Sequence, residues 1–266
     1  MKVLILSQQK RNLALGEPAI DIATPPGGLE ISEMPFIQNE LNVKTINDMC
    51  QEAQRLLVLV EDDKISTAEV LKALKALQEL DQEAVTLRNC PTWMFQTIQV
   101  NNHLPLHHLS HITDTVQLHS SIWLIYEWNY HRTARIIFLT RLANCAMATM
   151  KKTLHRNPQI QEVERIHGSS ILHIERLCDE VLATVPQSLG DIDESGTVLA
   201  AQEDGLTIRT IGSYLLLWSI RVMRSDAFAS TADQKRRADV VFERIRLYTG
   251  MKELLGDKSI FGRTQV

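Results

Sequence analysis

Cysteine is scarce and scattered in this chain of 266 residues, which holds four of them, at Cys50, Cys90, Cys145 and Cys178. No two stand at the short spacings where thiolates share a zinc ion, and so wide a scatter gives no zinc cluster. The thiols read as free and mostly buried, as suits a reducing compartment. Long hydrophobic runs are missing too. The longest are too short and too interrupted to cross a membrane as a helix, which takes about 20 apolar residues. The first six residues, Met1 to Leu6, hold one lysine and four consecutive apolar residues, fewer than a secretory leader needs. Basic charge is not in excess. Lys and Arg number 28 against 32 Asp and Glu, a net charge of -4, and a general polyanion binder needs the opposite balance. There is no glycine-rich phosphate loop, no nucleophile elbow and no Asp-rich metal motif. What remains is a globular composition, 44% hydrophobic and 23% charged, in a chain long enough for one large domain or two intimate ones.

Along the chain, residues 1–45 are punctuated by Glu17-Pro18, Pro25-Pro26-Gly27-Gly28 and Met34-Pro35, and predict an extended arm. Its Leu4, Leu6, Ile20, Ile22 and Phe36 give it something to bury. Helical periodicity begins at Ile46 and runs to Val60. Ser66 and Glu69 are spaced as a capping box ahead of a helix carrying Leu71, Leu74, Leu77 and Val85. A long helix is predicted over Thr113–Leu154. Asn157-Pro158 then caps a further helix whose inner face is Val163, Ser170, Ile174, Leu177 and Val181. Residues 187–205 are acidic and aperiodic, the pattern of a mobile surface loop. Two helices close the chain, one with a stripe of Ile208, Ile211, Leu215, Trp218 and Val222, the other with Val241, Ile245 and Tyr248. No alternating run predicts a sheet, and the fold class is all-α, an irregular multi-helix bundle or array. The helical domain spans 46–255 and a tail covers 256–266.

Four segments in order carry a family resemblance. They are Leu80-Asp81 through Cys90-Pro91-Thr92-Trp93; Glu127-Trp128-Asn129-Tyr130-His131-Arg132-Thr133-Ala134-Arg135-Ile136; Leu182 to Gly190, with Val185-Pro186 at its centre; and Gly212-Ser213-Tyr214-Leu215-Leu216-Leu217-Trp218. Over residues 65–255 the chain resembles the fungal-specific transcription factor domain that follows a Zn2Cys6 DNA-binding cluster. Ser219 stands where that family usually has proline after its tryptophan. The resemblance implies a helical fold and a role in sensing ligands or regulating a DNA-binding module. The module's six clustered cysteines have no counterpart among the four present here.

Candidate site residues were sought against ordinary packing roles. His103, His107, His108 and His111 crowd one segment, with His119 beyond. Two imidazoles at His-x3-His spacing can hold a metal, but Pro105 interrupts the segment and no acidic or thiol residue completes a set before Asp114, so no metal is expected. One or two of these histidines suit a pocket donor or a proton carrier better. Trp123, Tyr126, Trp128 and Tyr130 are dense for a chain with 5% aromatics; they fit a core or the wall of an apolar cavity. Arg132 and Arg135 sit in an apolar helix, and Glu127 precedes them at neither three nor four residues, so their partners must be distant in sequence. Lys235, Arg236, Arg237, Arg244 and Arg246 are interleaved with Asp233, Asp239 and Glu243, the pattern of a solvated face.

The expected function is a cofactor-independent cyclase or pericyclase of fungal secondary metabolism, of Diels-Alder type. An apolar cavity would fold a reactive polyene, removing orientational entropy from the barrier. Trp93, Tyr126, Trp128 and Tyr214 are its candidate walls, and His111, His119 and Arg132 its candidate catalytic handles, bonding a conjugated carbonyl. No cofactor or metal is called for. The expected partner is a hydrophobic small molecule, with no direct nucleic acid and no membrane, in a cytoplasmic protein. The alternative is a regulator without DNA contact that binds a metabolite, a second copy or a partner transcription factor, with nuclear placement. A third reading is a stretch of a longer regulator with no activity of its own.

Overall fold

The computed structural model describes residues 13, 35–86, 88, 91–100, 106, 109–153, 157–199 and 205–249. Its elements in order are α1 (Pro35–Glu61), α2 (Thr67–Thr86), a 3-10 turn (Pro91–Trp93), β1 (Gln96–Gln99), β2 (Thr115–Leu118), α3 (Ile122–Lys152), α4 (Pro158–Leu182), α5 (Val185–Ser188), α6 (Gly205–Arg224) and α7 (Ala232–Thr249). The fold is all-α, with one small two-stranded sheet. The described residues fall into two compact units. One comprises residues up to Thr92 together with Ala134–Ile174; the other comprises Trp93–Thr133 and the chain from Glu175 onward.

In the first unit, α1 starts at Pro35, ten residues inside the predicted arm. Proline suits a first helical position, where its missing N–H costs nothing. The rest of the arm, apart from Leu13, lies outside the described residues, as do the side chains of Leu4, Leu6, Ile20, Ile22 and Phe36. Val43, Ile46, Cys50, Ala53 and Val60 are buried on α1 at helical spacing. The capping box ahead of α2 is formed: Ser66 N donates to Glu69 Oε2 at 3.0 Å, and Glu69 N donates to Ser66 Oγ at 3.4 Å. The buried seam of α2 is Val70, Leu74, Leu77, Asp81 and Ala84. An aspartate on an inward seam needs a cation, and Arg135 supplies it through two bonds of 2.7 Å, Nε to Oδ1 and Nη2 to Oδ2. From Ala134 onward α3 is buried on nearly every side, through Ile136, Ile137, Phe138, Leu142 and Cys145. Asn157 caps α4, its Oδ1 accepting from Ile160 N at 2.9 Å.

In the second unit, β1 and β2 pair antiparallel with Gln96 opposite Leu118 and Gln99 opposite Thr115. This sheet overturns the expectation of none. Its strands are four residues long and β1 is mostly exposed, so neither shows a buried alternation in sequence. The Thr115-Val116-Gln117-Leu118 strand also displaces the predicted start of α3 from Thr113 to Ile122. Gln117 N donates to Ala183 O at 2.9 Å, so the strand satisfies a carbonyl just past the end of α4. The predicted inner face of α4 is buried at all five positions, Val163, Ser170, Ile174, Leu177 and Val181.

In the segment predicted as a loop, residues 187–199 carry a dense set of hydrogen bonds, and 200–204 lie outside the described residues. Ile192 bridges Val198, and Leu199 N donates to Asp191 O at 3.0 Å. Asp193 Oδ1 accepts from Ser195 N at 2.9 Å, Ser195 Oγ at 2.7 Å and Thr197 N at 2.9 Å. Gly196 has φ +82°, and a Cβ there would lie 3.1 Å from both Ile98 Cδ1 and Leu118 Cδ1. Ile192 joins Val100, Leu106, Leu109, Val116 and Leu118 in a buried cluster beneath the turn. On α6 the predicted stripe coincides with the inner face only in part. Of its residues Val222 is buried, Leu215 and Trp218 are half-buried, Ile211 is 44% exposed and the side chain of Ile208 lies outside the described residues, while Leu216, Ser219, Ile220 and Met223 beside it are buried. Gly212 packs on the α5 backbone, an approach closed to any residue with a Cβ.

Two substitutions test this packing. Gly212→Ala would place a Cβ 1.7 Å from Ser188 O; urea unfolding is expected to register a loss of about 1–3 kcal/mol. Asp81→Asn strands the Arg135 guanidinium, whose side chain is only 12% exposed, and the same measurement is expected to give a loss of about 3–5 kcal/mol.

Candidate functional site

The second unit gathers four of the seven candidate site residues. Trp93 is buried at the end of the 3-10 turn and Trp128 lies on α3. Their rings meet edge to face with centroids 6.2 Å apart, and Trp128 Nε1 donates to Trp93 O at 3.0 Å. Phe95 fills the corner, 5.4 Å from the Trp128 ring and 5.0 Å from the His119 ring. Arg132 lies 4.8 Å from the Trp128 centroid and 5.6 Å from that of Phe95, within cation–π range.

Arg132 is 1% exposed and richly held. Its Nε donates to Glu180 Oε2 at 3.1 Å, its Nη2 to Gln117 Oε1 at 2.7 Å, and its Nη1 to Asn129 Oδ1 at 3.3 Å and Glu180 O at 3.4 Å. Arg176 binds the other oxygen of Glu180 at 3.0 Å. A guanidinium so occupied orders α3, β2 and α4 around itself and has little donor capacity left for a substrate.

His119 follows β2 and is 2% exposed. Neither ring nitrogen has a hydrogen-bond partner among the described residues. Burial first, and then the Arg132 charge, depress its pKa from 6.5 to about 3, so the imidazole is neutral at physiological pH. Its main chain is clamped by Gln187: His119 N donates to Gln187 Oε1 at 2.8 Å, and Gln187 Nε2 donates to His119 O at 2.7 Å. The side-chain amide thus extends the pairing edge beyond β2.

The other three candidates stand elsewhere. Tyr126 stacks on Tyr130 at 6.2 Å, and Tyr130 meets Trp218 at 5.4 Å. His111 is exposed in the turn before β2, and Tyr214 is exposed on α6. His103, His107 and His108 lie outside the described residues. Among the described residues no group of three His, Cys, Asp or Glu is placed to hold a metal. Burial pushes the Cys50 and Cys178 thiols up to about 12 and Cys145 to about 11, which removes all three as nucleophiles. No helix among the described residues is long and apolar enough to cross a membrane.

Sequence reasoning missed the opening beside this cluster. A pocket of about 440 Å³ is lined by Ile122, Gln187, Ile192, Asp193, Glu194, Ser195 and Leu199. Its walls are the first residue of α3, the α5 amide and the pinned 191–199 turn. Gln187 is therefore shared: its side chain lines the pocket and holds the His119 main chain. Each end of an amide has a second hydrogen-bonding position beyond the one His119 uses. Hydrogen bonds from the Ser195 hydroxyl, then from the Thr197 N–H, hold the Asp193 carboxyl below its ordinary range. The turn was foreshadowed by Asp193-Glu194-Ser195-Gly196-Thr197 between Ile192 and Val198, a turn sequence between two apolar residues.

The chain matches no family model, no curated protein and no solved structure.

His119 yields a pH test. Its proton goes on near 6.5 in the unfolded chain and only near 3 in the folded one. The unfolded state therefore binds the proton first, and stability is full above 6.5 and drains away as the pH falls toward 3, by up to about 1.4 kcal/mol per pH unit. Denaturant unfolding between pH 7 and 4 is expected to show a shallower decline for His119→Leu than for the native chain. Parallel profiles would mean an imidazole that titrates normally.

Proposed function

We propose that this protein binds an apolar small molecule in the pocket under the 191–199 turn and acts as a regulator through that binding, without DNA contact of its own. The observation that carries this reading is the pocket itself: about 440 Å³, walled by Ile122, Ile192 and Leu199, with the buried amide of Gln187 among its lining residues. Such a volume suits a drug-sized ligand, and apolar walls with a few placed polar groups are what small-molecule sites present. The resemblance to the fungal transcription factor domain supports the same reading, since it implies a ligand-sensing helical domain. A second copy or a complete transcription factor would be its partner, in the nucleus.

The cofactor-free cyclase is the second reading, with a cytoplasmic setting, and one observation favours it. His119 carries a neutral imidazole with both nitrogens unpartnered among the described residues, on a main chain held by the pocket's own Gln187. Arg132 speaks against it, because its donors are spent on Gln117, Asn129 and Glu180. Conversion of a linear polyene that bears an unsaturated carbonyl, above a heat-denatured control, would favour the cyclase; no conversion favours the binder.

Binding is tested with the neutral fluorophore N-phenyl-1-naphthylamine, whose emission rises in apolar surroundings. Leu199 is 37% exposed, so Leu199→Gln changes a pocket wall and not the core. The substitution is expected to weaken binding about tenfold, from the apolar contact it removes. An unchanged affinity would place the probe elsewhere.

A further inference from the structure

The rim of the pocket has a sign. Asp193 and Glu194 both line it, and among the described residues that line it none is Lys, Arg or His. Asp191, beside them in sequence, is already matched by Arg244, whose Nη2 donates to its Oδ1 at 2.6 Å. Asp193 is fixed in place through three hydrogen bonds, all to Oδ1. Glu194 projects from the same turn and is exposed. The negative charges therefore sit on a built turn, and the apolar walls Ile122, Ile192 and Leu199 belong to the same cavity. Gln187, the polar group within, is neutral and able to donate or accept.

Resting on the reading of this cavity as a ligand site, we propose that its ligand is an apolar amine, protonated at neutral pH, whose hydrocarbon body lies against Ile122, Ile192 and Leu199 and whose ammonium group meets Asp193 and Glu194. The same rim turns away fatty carboxylates and phosphate esters, because a like charge brought to it is repelled while an ammonium is drawn in. Ammonium suits exposed carboxylates of this kind: the pairing is modest and screened by salt, so it selects among ligands of equal apolar body without supplying most of the affinity.

The test compares three probes with one naphthyl body, 2-(1-naphthyl)ethylamine, 2-(1-naphthyl)ethanol and 1-naphthylacetate, titrated at pH 7 into the full chain. The expected order is amine, alcohol, carboxylate, with the amine about tenfold tighter than the carboxylate at low salt and the gap narrowing at high salt. Glu194→Gln is expected to shrink the gap to about threefold and Glu194→Lys to invert it, while Leu199→Gln weakens all three alike. Glu194 is exposed, so neither change endangers the fold. Equal affinities for the three probes, still lowered by Leu199→Gln, would overturn the amine selectivity and leave the cavity as a ligand site. Binding of none of them would overturn both. A gap that Glu194→Lys leaves unchanged would overturn the assignment of the rim.

Discussion

Arg132 is a full charge with almost no solvent, and a guanidinium so placed is tolerable only where every face of it is met. That requirement organises the second unit. Glu180 must come from α4, Gln117 from β2 and Asn129 from one turn earlier on α3, and the flat cation must lie against Trp128 and Phe95. Gln117 in turn ties its main chain to Ala183, and His119, two residues on, is tied to Gln187. A strand too short to be stable alone is thus held along its edge by a helix end and a side-chain amide. The pocket wall at Gln187 is a downstream consequence of one buried cation.

The four motif-bearing segments, 80–93, 127–136, 182–190 and 212–218, interact with one another. Asp81 of the first binds Arg135 of the second, and Trp93 of the first accepts from Trp128 of the second. Asn129 of the second donates to Thr184 of the third at 2.8 Å, and Gly212 of the fourth admits Ser188 of the third. Residues joined this way form a scaffold, so motifs that look functional in sequence are here the couplings that hold helices in place. Catalytic or binding roles need groups with unspent valence, and among the described residues of this unit these include the Gln187 amide, the His119 imidazole and the carboxylates of Asp193 and Glu194.

Local rules were legible and long-range ones were not. Ser66 with Glu69, and Asn157 before Pro158, announced helix starts because capping is a matter of three or four neighbouring residues. The inner face of α4 was legible because an apolar seam on a long helix repeats many times. The β1–β2 pair was hidden because each strand is four residues long and one is nearly all exposed. The seating of α6 on α5 was hidden because it is a single contact, Gly212 against Ser188, and a lone glycine among Leu, Trp and Ile gives no periodic signal. Aromatic density drew attention to Trp128, and the Cys90-Pro91-Thr92-Trp93 segment to Trp93. Both passed over Phe95, and no local pattern pointed to Gln117, Glu180 or Gln187, whose roles depend on partners 15, 48 and 68 residues away.

Neutrality at the centre and charge at the rim are two sides of one arrangement. His119 is kept neutral by burial and by the Arg132 charge, and Arg132 is itself answered by Glu180, so the interior beside Gln187 carries little net charge to offer a ligand. The Asp193 and Glu194 carboxylates stand where water screens them, on a turn that Asp193 holds by accepting from Ser195 and Thr197. Affinity at such a site comes from the apolar wall, which is indifferent to a ligand's head group, and discrimination comes from the rim, which is indifferent to its body. Under the proposed reading, the aromatic rings and buried polar groups lie behind the pocket and fix its Gln187 wall, while the rim faces the ligand.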